Sequence, residues 1–258
     1  MKRFITLAGV TGNTTTQPSI SDLAAAMKAI TSLYSWVEFD ADSVTLDSSG
    51  LISAVADKSG NSRGFAQATT AYRPTWVDKV VSSRPVARFA GSATNSVFNR
   101  LDFSGTLPST GDITKIAVLK LASTAGGVQE ILTDLVPAAT KHVLQVNNAN
   151  LQMADGNTNG NLTYPTGLDA TVFHVVASSQ DFSDKLGRLK LDDGAVSTGT
   201  MTATGYNTTM YMGASETPTY PIAADIAGAF VFNADLLADA HAADLATVTA
   251  YIKARFGL

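Results

Sequence analysis

The residues able to do acid–base chemistry in this chain are sparse and scattered. Its three glutamates, Glu38, Glu130 and Glu216, each stand alone. Glycoside hydrolysis of the two-carboxylate kind wants paired acids, for example at i and i+4 on one strand face, and no such strand occurs. Asp181 with Asp184, and Asp192 with Asp193, fall where turns are expected and read as turn residues. His142, His174 and His241 lie far apart and form no His-Glu-x-x-His or comparable metal pattern. His174 shares a predicted strand face with Val172 and Val176 and is expected to be a satisfied core or interface histidine. The same is expected of His241, on the apolar stripe of the last predicted helix. No Gly-x-Ser-x-Gly elbow, Walker loop or Gly-x-Gly-x-x-Gly turn is present. Cysteine is absent, which removes thiolate nucleophiles, thiolate metal sites and disulfides together. The expectation is therefore no catalytic residue, no cofactor and no metal centre.

Binding chemistry is better represented. Asp155-x-Asn157-x-Asn159-Gly160 imitates the first half of a calcium-binding EF-hand loop, but its twelfth position is Thr166 rather than a bidentate glutamate. A polar hairpin tip accounts for it better. The stretch belongs to the densest amide-rich patch of the chain, which also includes Asn150. Asn147, Asn148, Asp155, Asn157, Asn159 and Tyr164 are the candidate glycan-binding residues, because amides and an aromatic face suit sugar hydroxyls. Trp76 is a second aromatic candidate, with packing under a loop as its plainer reading.

The elements that must position these residues are mostly strands. Trp36 to Phe39, Val86 to Phe89, Ile113 to Leu121, Val128 to Leu132 and His142 to Val146 are β-branched or aromatic runs bounded by turn formers. So are Thr171 to Ala177, Arg188 to Leu191, Thr209 to Met212 and Ile226 to Phe232. Asp192-Asp193-Gly194 is a hairpin signal. Short strands without intervening helices predict an all-β sandwich or barrel over residues 36–258.

Ahead of it lies an arm, residues 1–35. Its opening, Met1 to Val10, faintly imitates a signal peptide, and an ordinary strand or tail is the expected reading. Ser19-x-x-Asp22 has the form of a capping box. Ile20, Leu23, Met27, Ile30 and Tyr34 follow at spacings of three and four, an a/d seam of about two heptads. The seam either lies on its own sandwich or docks and oligomerises, as a dimer or trimer. A second amphipathic helix is expected from about Asp239 to Phe256, with His241, Leu245, Val248 and Ile252 on one face and Gly257 as its C-terminal cap.

Composition limits the partners. Of 258 residues, 45% are hydrophobic and only 16% charged, so the surface is neutral and polar and suits glycan contact or subunit packing. A net charge of −4 without a basic patch excludes nucleic acid as a direct partner, and no apolar run is long enough to span a membrane.

Several segments in order resemble the bacterial and bacteriophage branch of the concanavalin A-like lectin/glucanase (laminin-G-like) superfamily. Asp40-Ala41-Asp42 and Asp57-Lys58-Ser59-Gly60-Asn61 are similar to its opening pattern. Arg73-Pro74-Thr75 and Arg84 to Gly91 resemble its next segment. His174 to Ala177 with Gly187 to Gly194, and Asp225 to Gly228 with Tyr251 to Leu258, resemble its closing strands and helix. The resemblance implies a concanavalin A-like jelly-roll sandwich, with these segments as scaffold. Ala90 and Gly228 depart from the family pattern, and the Glu-x-Asp-x-Glu strand of its glucanases is missing. The expected function is a non-enzymatic virion subunit of a tailed phage (decoration, fibre or spike) that contacts other virion proteins or copies of itself, with host surface glycan as a further ligand. A secreted bacterial carbohydrate-binding module or adhesin domain is the alternative.

Overall fold

The structure is a computed structural model that describes residues 18–91, 98–108, 110–124, 127–134, 142–155, 161–202, 207–215 and 220–258. Helix α1 (Ile20–Ala29) comes first, then β1 (Leu33–Glu38), β2 (Val44–Leu46), β3 (Ile52–Val55), β4 (Phe65–Ala66), β5 (Thr75–Val81), β6 (Arg84–Ala90), β7 (Leu101–Phe103) and β8 (Ile113–Leu121). There follow β9 (Val128–Asp134), β10 (Val143–Asn147), β11 (Asn150–Ala154), β12 (Leu162–Gly167), β13 (His174–Asp181), β14 (Leu186–Leu191), β15 (Ser197–Thr200), β16 (Met210–Met212) and β17 (Ala223–Phe232). Helix α2 (Ala242–Phe256) closes the chain.

The strands form two antiparallel sheets. The first, the back sheet, has the order β15-β14-β13-β8-β17-β6-β5, with β1 also on β17. The long strand β17 gives one edge wholly to β8 and divides the other, pairing β6 through Ala223–Ile226 and β1 through Gly228–Phe232. The second, the front sheet, runs β12-β11-β10-β9-β16-β7-β4-β3-β2. Together they make a lectin-like jelly-roll sandwich with a short N-terminal helix and a C-terminal amphipathic helix.

Two apolar clusters explain the sequence pattern. Between the sheets lie Val37, Phe65, Phe89, Leu119, Leu144, Met153, Met210 and Val231 among others. Behind the back sheet, Met27, Trp36, Ile116, Val118, Phe230, Val248, Tyr251 and Ile252 seat both helices. Strand β8 is thus buried on both faces, which is why it reads as a continuous apolar run rather than an alternating one.

Helix α1 begins as its capping box predicts, with Ser19 and Asp22 bonded reciprocally. It ends at Ala29, short of Tyr34, because Ile30 turns extended and its N–H caps Met27 O. Tyr34 therefore belongs to β1; its hydroxyl reaches Thr106 O, and Arg63 lies over its ring. Met27 and Ile30 are buried under the protein's own second helix, Leu23 is packed there too, and Ile20 is exposed.

Strand β13 starts at His174, three residues later than the sequence pattern suggests. Asp169 Oδ1 accepts from both the N–H and hydroxyl of Thr171, at 2.8 and 2.7 Å, and this turn leaves Val172 exposed. Val172 thus does not share a strand face with His174. His241 is the N-cap residue of α2 rather than part of its buried stripe; it is half-buried, 3.7 Å from Asp244. Gly257 caps α2 in the left-handed conformation, φ 71°, its N–H bonded to Lys253 O. The Asp192-Asp193-Gly194 turn joins β14 to β15 as expected, with Asp192 at φ 49°. Strands β2 to β5, β7, β11, β12 and β15 had no counterpart in the sequence pattern.

Candidate functional site: the outer face of the front sheet

Three of the quoted segments, Asp40 to Asp42, Asp57 to Asn61 and Tyr251 to Leu258, converge behind the back sheet on Glu38 and form a lock. Glu38, 1% exposed, accepts from Trp36 Nε1 (2.9 Å) and Tyr251 Oη (2.5 Å) on one oxygen. Its other oxygen accepts from Lys58 Nζ and Arg255 Nε, each at 2.9 Å. Asp40 binds the same two cations. Burial pushes the Asp40 carboxyl up, but the adjacent Lys58 and Arg255 charges win and hold it below the usual range. Burial and the Glu38 charge push the Tyr251 phenol far up, so it stays a donor. Asp57 accepts from the backbone N–H groups of Trp36, Ser59, Asn61 and Arg63, which shapes the 57–63 loop. Every one of these groups is spent on another, so the network fastens α2 and the loop to β1.

The front sheet differs. Among the described elements, no helix packs on its outer face. Alternation along β10 sends Leu144 and Val146 inward and Gln145 and Asn147 outward; on β11 it sends Leu151 and Met153 inward and Asn150 and Gln152 outward. The register sets Gln145 beside Gln152, and Gln152 beside Thr163 of β12. Gln145 Nε2 donates to Gln152 Oε1 at 3.2 Å, and Gln152 Nε2 donates to Thr163 Oγ1 at 3.0 Å. This relay points one way, leaving an amide acceptor at the Gln145 end and a hydroxyl donor at the Thr163 end.

The row continues across β9 and β16. Glu130 pairs with Gln145 after a bulge, and Thr133 pairs with Tyr211. Tyr211 in turn faces Asp102 of β7, and the Arg100 guanidinium sits 4.6 Å above the Tyr211 ring while donating to Asp102 Oδ1 at 2.6 Å. Gln145, Gln152, Glu130, Thr133 and Tyr211 are buried, whereas Asn148, Asn150 and Thr163 are exposed at the end of the row. A polar row of amides, hydroxyls and one aromatic–guanidinium stack is equipped to hydrogen-bond a polyhydroxylated ligand.

The candidates taken from the sequence separate on this frame. Asn147 and Asn148 sit at the β10–β11 turn, where Asn148 Nδ2 donates to Asn147 Oδ1 at 3.3 Å, and Asn147 falls on the outer face. Asp155 lies at the far end of β11, fully buried, accepting from the N–H and hydroxyl of Thr202 at 2.6 Å each. Asn157 and Asn159 lie outside the described residues, as does Glu216. Tyr164 points into the sandwich core and spends its hydroxyl on Ala195 O at 2.9 Å. Trp76 is half-buried, and its indole N–H donates to Phe39 O at 2.7 Å.

His174 is satisfied as expected: Nδ1 meets Asp192 Oδ2 at 2.7 Å and Nε2 meets the Asp169 backbone at 3.0 Å. The Asp192 hydrogen bond, with its charge, holds His174 above the usual histidine range. Among the described residues, no group of three or more His, Asp or Glu side chains is placed to hold a metal ion. Among the described residues, no helix is long and apolar enough to cross a membrane.

Sequence reasoning passed over Gln145, Gln152, Thr163, Glu130, Thr133, Tyr211 and Arg100. A signal for two of them was present: a tight turn between Asn147 and Asn150 necessarily pairs Gln145 with Gln152, two amides inside otherwise apolar strands.

No family model matches the chain, and no curated protein is similar to it in sequence. Solved structures do share its fold. The binding domain of botulinum neurotoxin DC in complex with SialylT has a TM-score of 0.59 over 87% of this chain at 9% identity, and the chain spans 52% of that one. A heptameric SAP-like pentraxin from Limulus polyphemus has a TM-score of 0.49 at 13% identity, covering 62% of this chain and 80% of that one. The CBM40 of a Ruminococcus gnavus IT-sialidase, bound to α2,3-sialyllactose, has a TM-score of 0.42 at 18% identity, covering 50% and 79%. The protein is thus a jelly-roll β-sandwich in architecture, and what it shares with the neurotoxin binding domain is the fold.

Proposed function

We propose that the protein is a non-enzymatic glycan-binding module that uses the outer face of the front sheet. The observation that carries this reading is the oriented relay from buried Gln145 through Gln152 to the exposed Thr163, on a sheet face over which no helix packs among the described residues. Amide pairs fixed by each other present donors and acceptors with little entropy left to lose, which favours hydroxyl recognition. Support of a general kind comes from similar folds. The botulinum neurotoxin binding domain is described in complex with SialylT, and a type C relative with an interaction involving two ganglioside molecules.

The setting we propose is a virion surface or another assembled surface, with secretion as the alternative; the low charge content supports either. The seam of α1 no longer argues for assembly, since Met27 and Ile30 are buried within the protein itself. Light scattering tests this part: a discrete dimer or trimer favours an assembly subunit, and a monomer counts against it. Binding is tested on a glycan array followed by calorimetry. Gln152→Ala is expected to weaken binding about tenfold, the value of roughly one polar contact to ligand plus one relay bond. Binding of no glycan at all, or undiminished binding by this variant, overturns the assignment.

A further inference from the structure

The interior of the sandwich carries polar groups that the binding face does not use. Lys115 on β8 projects between the sheets, where its neighbours Ile113, Ala117 and Leu119 are core residues. Its ammonium, 0% exposed, bridges Asp134 and the carbonyl of His142. Asp134 also accepts from His142 N at 3.1 Å, and His142 Nε2 lies 3.1 Å from Ser178 Oγ on β13. Ser178 is the register partner of Lys115, so both sheets contribute to one cluster.

That cluster is incomplete. Gln180 follows Ser178 by two positions, so its side chain leaves the same strand face, about 7 Å farther on. It is 0% exposed, and neither its amide nitrogen nor its amide oxygen has a partner among the described residues. Nδ1 of His142, also 0% exposed, has none either. A buried amide left in that state would reduce the folding constant roughly 10- to 100-fold.

We propose that one or two ordered water molecules are held between the sheets at this cluster, where they bridge Gln180 and Nδ1 of His142 and so join the two sheets. The choice of water follows from the groups present. A ligand here must accept from the Gln180 amide N–H and also donate to its oxygen. A metal ion cannot do the first, and a simple anion cannot do the second. Lys115 repels a cation and Asp134 repels an anion, whereas their mutual pairing leaves a neutral polar lining suited to water. Burial and the nearby Lys115 charge keep His142 neutral, so one of its ring nitrogens carries no proton and the other does.

A high-resolution crystal structure of the full chain tests the site directly. Expected is compact density within hydrogen-bonding distance of Gln180 and His142 Nδ1, with no anomalous signal after bromide or rubidium soaking. Absence of such density, or an anomalous peak there, overturns the proposal. Gln180→Leu gives a second measure by urea unfolding. Loss of the bridge is expected to lower the folding constant several-fold, while a tenfold gain would mean that the amide was unsatisfied and no water bridged it. If this variant does not fold, the wild-type density decides.

Discussion

Replacing Glu38 by glutamine tests the view that the lectin-like segments act as a lock. The side chain is 1% exposed and receives four hydrogen bonds, two of them from Lys58 and Arg255. Glutamine can keep one oxygen toward Trp36 Nε1 and Tyr251 Oη, but its NH2 then faces the two cations, donor against donor. Removing one partner of a buried ion pair costs about 3–5 kcal/mol. Asp40 still binds both cations, so the lower end applies, about 3 kcal/mol, or roughly 150-fold in the unfolding constant. Urea unfolding followed by far-ultraviolet circular dichroism and tryptophan fluorescence reads this as a midpoint lowered by about 1 M. Trp36, stacked on Phe230 at 6.2 Å and edge-on to Tyr251 at 4.9 Å, reports the same site. A loss below about 1 kcal/mol would refute the reasoning, because it would mean that the cations find water as easily as they find Glu38.

The two buried histidines predict opposite pH responses. His174, raised by Asp192, stabilises the fold fully below its unfolded value near 6.5. That contribution is lost as pH rises through the higher folded value, and His174→Gln should abolish the alkaline-side fall in the urea midpoint. His142 is held neutral, so its contribution is present above about 6.5 and lost as pH falls below it. In a proton NMR titration of the folded protein, His174 should titrate above 6.5 and His142 should stay neutral well below it; the reverse order would contradict the assigned partners. Gly213→Ala should destabilise by about 3 kcal/mol in thermal unfolding, since its φ is +94° and a Cβ would meet Phe89 Cδ1 at 2.3 Å. A change under 1 kcal/mol would show that the 213 turn relaxes freely. Tyr211→Ala should weaken glycan binding as well as stability, and loss of stability alone would place Tyr211 outside the site.

Much of the fold was legible because its signals are local. The Ser19–Asp22 capping box, the Gly257 cap and the Asp192–Gly194 turn each act over a few residues and were read correctly. The runs Ile113–Leu121 and Ile226–Phe232 announced strands, which the structure buries on both faces. Short exposed strands such as β2 and β15 carry no such hydrophobic excess and were invisible. The seam from Ile20 to Tyr34 was misjudged at its end, because the pairing of β1 with β17 overrides helical spacing at Tyr34.

The sequence by itself therefore determined an all-β sandwich with a helix at each end, and an amide-rich patch that begins at Asn147. Only the tertiary structure decided that Glu38, Lys58, Tyr251 and Arg255 meet, that Lys115 lies buried against Asp134, and that Gln145, Gln152, Thr163 and Tyr211 share one face. The reason is physical. Caps, turns and hydrophobic period are set by neighbours in the chain, whereas these groupings depend on which strands pair and in what register, and a shift of one residue would turn each side chain to the opposite face.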